Sequence, residues 1–136
     1  MSQKIYIVED DASIRELESY ALKSAGFETL GFENSRDFFA QMESHLPDLI
    51  LLDIMLPQIS GYELFSYINE YSIPVIFITA RGELDDKRKA FRMGADDYIV
   101  KPFEIEELLL RTENILRLHG LSLIHISEPT RRSYIS

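Results

Sequence analysis

Leu49-Ile50-Leu51-Leu52-Asp53 (LILLD) is a run of four branched aliphatic residues stopped by an acid. Read as a strand, it has no polar face, so both sides of the sheet must be covered there. Strands of that kind belong to parallel sheets held between two layers of helices. Three further segments have the same character: Ile5–Val8, Val75-Ile76-Phe77-Ile78 and Tyr98-Ile99-Val100. Phe27–Phe32 is a weaker fifth strand.

Amphipathic stretches fill the gaps between them. A helical stripe through Ile14, Leu17 and Ala21 stops at Gly26, and Asn34 or Ser35 caps a second helix carrying Phe38, Phe39 and Met42. The turn-rich segment Pro57 to Gly61 leads into a third helix with Tyr62, Phe65 and Ile68. The fourth, Leu84 to Met93, holds Asp85, Asp86, Lys87, Arg88, Lys89 and Arg92, which leave it little apolar surface; the fifth runs from Glu104 to Leu118. Five strand–helix units in alternation imply a doubly wound α/β domain, a five-stranded parallel sheet with helices on both faces.

Composition narrows the function classes. The 136 residues make one domain, and the absence of cysteine excludes disulfides, thiolate catalysis and Cys-based zinc sites. His45, His119 and His125 lack metal-ligand spacing. A net charge of −9 makes the chain by itself a poor ligand for nucleic acid. There is neither a secretory signal pattern nor an apolar run of membrane-spanning length, so a cytoplasmic protein with no membrane partner is expected.

In open parallel sheets, function gathers at the carboxyl ends of the strands. Those ends carry Glu9 and Asp10, Asp53, Thr79 and Lys101. Neighbouring strands lie about 5 Å apart, so three carboxylates, a hydroxyl and an ammonium can converge. The acids suit a hard divalent cation such as Mg²⁺, and Lys101 and Thr79 suit a phosphoryl group's oxygens. Asp53, the lone acid on the most apolar strand, is the expected nucleophile, forming an aspartyl phosphate. Adjacent Glu9 and Asp10 read as a metal platform, and Asp11 as the cap of the first helix. Any one of these residues alone would read as a turn or cap residue; the set does not.

The segments IVEDD, DLILLDIMLPQISGYEL, IPVIFITARGE and GADDYIVKPF, with their spacing, resemble the receiver domain of two-component response regulators, a likeness spanning residues 3–118. The resemblance implies the flavodoxin-like, CheY-like strand order 2-1-3-4-5. It makes Asp53 the phosphoacceptor and Asp10 a direct Mg²⁺ ligand, with Glu9 acting through water and Met55 lending a backbone carbonyl. Thr79 and Lys101 would bind the phosphoryl oxygens, Lys101–Pro102 would be cis, and Tyr98 would swing inward as Thr79 moves. The chain is similar to the OmpR/PhoB type, whose output is a winged-helix DNA-binding domain. That type dimerises through the fourth helix, fifth strand and fifth helix, here with Lys87 facing Glu107 and Asp97 facing Arg111.

After Gly120 the text changes to LSLIHISEPTRRSYIS, which follows no helix period and resembles the translation of a transposase adapter used in sequencing-library preparation. The expected organisation is therefore a receiver domain over 1–120 and a non-native read-through tail over 121–136, with the output domain missing. The expected function is a phosphorylation-activated switch that receives its phosphoryl group from a sensor histidine kinase, homodimerises, and reaches DNA only through that missing domain. It takes part in its own phosphoryl transfer and slow dephosphorylation without being an enzyme. Two alternatives stand beside it: a stand-alone receiver acting by protein contact, and an aspartyl-phosphate phosphohydrolase, which the apolar Ile54 and Met55 after Asp53 disfavour for want of a second acid. A nucleotide- or flavin-binding module would need a Gly-rich loop where EDDAS stands.

Overall fold

The computed structural model describes residues 2–80, 82 and 84–124. In chain order the elements are β1 (Lys4–Val8), α1 (Ala12–Ser24), β2 (Glu28–Phe32), α2 (Ser35–Ser44), β3 (Leu49–Leu52) and α3 (Gly61–Ile68). A single 3₁₀ turn (Asn69–Tyr71) is followed by β4 (Val75–Thr79), α4 (Leu84–Met93), β5 (Asp97–Val100) and α5 (Ile105–Ile124). All strand pairs are parallel, in the order β2-β1-β3-β4-β5.

The pleat divides the core by residue parity. Tyr6, Val8, Ile50, Leu52 and Phe77 pack with Phe38, Met42, Tyr62, Phe65 and Ala90 of α2, α3 and α4. Ile5, Ile7, Leu49, Leu51, Ile76 and Ile78 face the other way, onto Ala21 and Leu22 of α1 and Leu108, Ile115 and Leu116 of α5. This is why LILL is apolar throughout: each face serves a different helix layer. β2 is an edge strand and is largely exposed except at Phe32.

Local signals set the helix ends. The Asp11 carboxylate accepts from Ser13 N and Ile14 N at 2.9 and 3.2 Å, the cap expected of it, and Asn34, not Ser35, caps α2 by accepting from Asp37 N. Gly26, with φ +99°, ends the first unit.

Two readings need correction. The apolar stripe of α1 was expected to include Leu17, yet Leu17 is 48% exposed while Glu18 is 1% exposed beside buried Ala21 and Leu22. Residues 18, 21 and 22 share one helix face and 17 lies about 100° away from 18; an acid at the centre of the buried face hid the true phase. The second concerns α5, which continues through Gly120 to Ile124, past the expected end at Leu118. Gly120 has no positive φ to stop the helix. The expected read-through tail thus begins inside α5, and its remainder, residues 125–136, lies outside the described residues.

Candidate functional site

Register brings the strand ends level. Val8 pairs with Leu52 and Leu52 with Phe77, so Glu9 and Asp53 leave the sheet side by side, with Thr79 and Lys101 at the ends of β4 and β5. One carboxylate oxygen each from Glu9, Asp10 and Asp53 lies within 4.8 Å of the others. The expected acids are therefore assembled, and three oxygen donors at that spacing fit a hard divalent cation.

Lys101 organises the buried pair. Its Nζ donates to Glu9 Oε1 at 2.6 Å and to Asp53 Oδ2 at 3.1 Å. The other Asp53 oxygen, Oδ1, accepts from the backbone N–H of Met55 at 2.9 Å. Glu9 Oε2 accepts from Asp11 N–H at 3.3 Å. Glu9 and Asp53 are buried and Asp10 is exposed, so the acids grade from the sheet edge outward to solvent.

Burial pushes the Glu9 carboxyl up to about 7; the Lys101 bond opposes that shift and the adjoining Asp53 carboxylate adds to it. Burial acts against the Lys101 ammonium, but its bond to Glu9 and the Asp53 charge outweigh it, and its pKa is raised. Lys101 therefore stays charged in the pocket. The Lys101–Pro102 peptide bond is cis.

The loop after β3 is pinned from α3. Gly61 N–H donates to the Ile54 carbonyl at 2.7 Å, and a Cβ on Gly61 would lie 2.4 Å from the Asp53 carbonyl oxygen and 2.5 Å from Ile54 Cα. Only glycine permits that approach. The Met55 side chain is half exposed, leaving its backbone to face the site's rim.

Thr79 is fully buried, and Tyr98 is buried in the core layer with Phe77, Tyr62 and Ala90. On the far side of β5, Arg111 Nη1 donates to both Asp97 oxygens, at 2.9 and 3.1 Å, and its Nε to Glu107 at 3.1 Å. Asp97, Glu107 and Arg111 thus form one intramolecular cluster, while Lys87 stands on neighbouring α4. Three residues went unread in the sequence: Glu18, Arg15 and the pinning role of Gly61. The turn signal marked Gly61's place; Glu18 and Arg15 sat unmarked among the charges of α1.

A model of the response regulator receiver domain matches residues 5–113. The phosphate regulon transcriptional regulatory protein PhoB of Pseudomonas aeruginosa is 44% identical over 124 residues, covering 88% of this chain and 54% of that protein. The heme response regulator HssR of Staphylococcus saprophyticus is 36% identical over 118 residues, 86% of this chain and 53% of its own length. A CheY-like receiver domain protein from Methanospirillum hungatei superposes with a TM-score of 0.84 at 27% identity, covering 90% of this chain and 99% of that one. The chain spans about half the length of the curated relatives it matches. Among the described residues, no helix is long and apolar enough to cross a membrane.

Proposed function

The chain belongs to the response regulator receiver domain family, and we propose that Asp53 is its phosphoacceptor, charged by a sensor histidine kinase in the cytoplasm. The observation that carries this reading is the placement of Asp53: buried at a strand end, one oxygen on Lys101 and the other on the Met55 N–H, beside two more acids. Those bonds fix the carboxylate's direction, which is most of what phosphoryl transfer asks of a protein.

Asp10 and Asp53, with the Met55 carbonyl and Glu9 through water, would hold Mg²⁺, which supplies charge neutralisation to the transferred phosphoryl group. Lys101 leaves its carboxylate partners to meet a phosphoryl oxygen, and Thr79 binds another. Tyr98, buried beside Phe77 and Tyr62, is held in its inward packing as Thr79 moves. The face of α4, β5 and α5 then dimerises, with Asp97, Glu107 and Arg111 exchanging their intramolecular bonds for partners that include Lys87 of a second copy. Rim pairs of this kind set orientation more than affinity.

The relatives named as transcriptional regulators are about twice as long, which supports a DNA-binding output domain joined to this receiver. The receiver over residues 1–120 and the read-through over 121–136 are part of the same proposal and rest on the change in sequence character after Gly120. No second acid follows Asp53 to serve as a general acid–base, since Ile54 and Met55 are apolar, so the chain acts as a switch with slow self-dephosphorylation and not as a turnover enzyme.

Intact-mass spectrometry after incubation with acetyl phosphate and Mg²⁺ tests the core of this. One phosphoryl adduct is expected, dependent on Mg²⁺ and absent from Asp53→Ala. An adduct that persists in Asp53→Ala would remove the assignment.

A further inference from the structure

The Arg15 side chain reaches back to the residue before Asp10. The Arg15 backbone N–H donates to the Asp11 carbonyl at 2.9 Å, and its guanidinium Nη1 donates to the Glu9 carbonyl at 2.7 Å. The backbone bond is the first-turn bond of α1 that any residue here would make; the side-chain bond is particular to Arg15, and it holds the main chain immediately before the exposed acid. The Asp10 side chain stands at the solvent-facing mouth of the pocket, so its aim depends on the main chain that carries it. The Arg15 stem needs room, and Gly31 on β2 provides it: a Cβ there would lie 2.9 Å from Arg15 Cδ and 3.0 Å from Cγ. A glycine inside a strand costs conformational entropy and often marks a close approach; here the approaching group is this arginine.

We propose that Arg15 is the positioning residue of the acidic platform, aiming Asp10 at Asp53 through its seat over Gly31 and thereby setting the pocket's affinity for a divalent cation. The proposal rests on the reading of Glu9, Asp10 and Asp53 as the cation site. It has an unusual sign. A guanidinium on the Glu9 carbonyl adds positive charge near the site and disfavours an incoming cation, so charge alone would make its removal tighten binding. Positioning makes its removal loosen binding, because groups that orient metal ligands set affinity from behind them.

Two variants separate geometry from charge. Arg15→Met keeps much of the stem and loses both the bond and the charge. Gly31→Ala keeps the charge and pushes the stem from its seat, with no backbone penalty, since Gly31 is not among the positive-φ residues. Mg²⁺ titration of the full chain, followed by amide chemical shifts, should give about tenfold weaker binding in both. Thermal unfolding without metal reports any purely structural effect, which would lower the melting temperature while leaving the folded protein's Mg²⁺ affinity as in the wild type.

Affinity that is unchanged or tighter in either variant overturns the proposal. Asp10→Asn is the control for the reading beneath it. If Asp10→Asn binds Mg²⁺ as well as the wild type, the cation-site assignment fails by itself, whatever Arg15 does.

Discussion

Replacing Glu18 with methionine should stabilise this protein, and by more as the pH rises. The carboxyl is 1% exposed on the buried face of α1, and its Oε2 has no hydrogen-bond partner among the described residues. Burial raises its pKa from 4.5 to about 8; the Glu9 charge adds to the shift, Lys101 opposes it and Asp53 adds to it. Between those two values the unfolded chain has released the Glu18 proton and the folded chain still holds it. Folding therefore takes up one proton, and the stability of the wild type falls by about 1.4 kcal/mol per pH unit across that window. The favourable contribution of the neutral acid is complete below the unfolded value and is gone once the pH passes the folded one.

Methionine has similar length and no proton, so its variant lacks that slope. From about pH 5.5 to about pH 7.5 the variant's advantage should widen by about 2.7 kcal/mol. A pH-independent gain of about 1–2 kcal/mol should accompany it, because an unpartnered buried oxygen is removed. Urea unfolding followed by far-UV circular dichroism, at both pH values and without metal, gives the difference directly. Groups that do not sense the Glu18 charge cancel, and Glu9, which does, enters the difference as part of the same proton linkage. An advantage equal at the two pH values would refute the protonation argument. A variant less stable than the wild type at the higher pH would show that Glu18 has a partner that holds it in place.

Three further outcomes follow from distances in the site. Gly61→Ala would drive a Cβ into the backbone of Asp53 and Ile54, costing about 1–3 kcal/mol and slowing phosphorylation by acetyl phosphate; an unchanged melting temperature would refute the close approach. Lys101→Met leaves Glu9 and Asp53 without their shared cation, so phosphorylation should slow by about a hundredfold and the Glu9 carboxyl should titrate higher still. Carbon-detected NMR reads that titration, and a Glu9 midpoint equal to the wild type's would contradict the pairing. In α4 only Ala90 is buried, with Leu84 and Phe91 at least half exposed; a helix so lightly anchored should lose or gain amide protection on phosphorylation before α1 does, and hydrogen exchange that leaves α4 unaffected would count against its role in the switch.

The parts that sequence made legible share one property: their signal is local. LILLD announces its two-sided burial through four letters, and Asp11 and Asn34 announce helix starts through side chains that reach only two or three residues along. The strand-end acids were legible because parallel topology converts order along the chain into adjacency in space. Glu18 failed that kind of reading because its burial is set by the sheet beneath it, and periodicity alone steered the stripe to Leu17. The Arg15–Gly31 contact failed for a related reason. Arg15 belongs to α1 and Gly31 to β2, and nothing in either local pattern says that a stem from one occupies the gap left by the other.

Charge balance connects the site to the rest of the domain. Glu9, Asp10 and Asp53 meet one ammonium, so the pocket carries excess negative charge, and burial already shifts Glu9 towards its neutral form to reduce it. Glu18, behind the same edge, is driven further in the same direction. A domain selected for stability alone would replace such acids with apolar residues, since buried ionisable groups rarely repay their desolvation. Their retention at one strand edge, beneath a loop fixed by Gly61, makes sense if the unbalanced charge is the functional feature, relieved by a cation and altered by a phosphoryl group. The neighbouring α4, nearly without a core of its own, is where such a change in charge can move the structure at least cost.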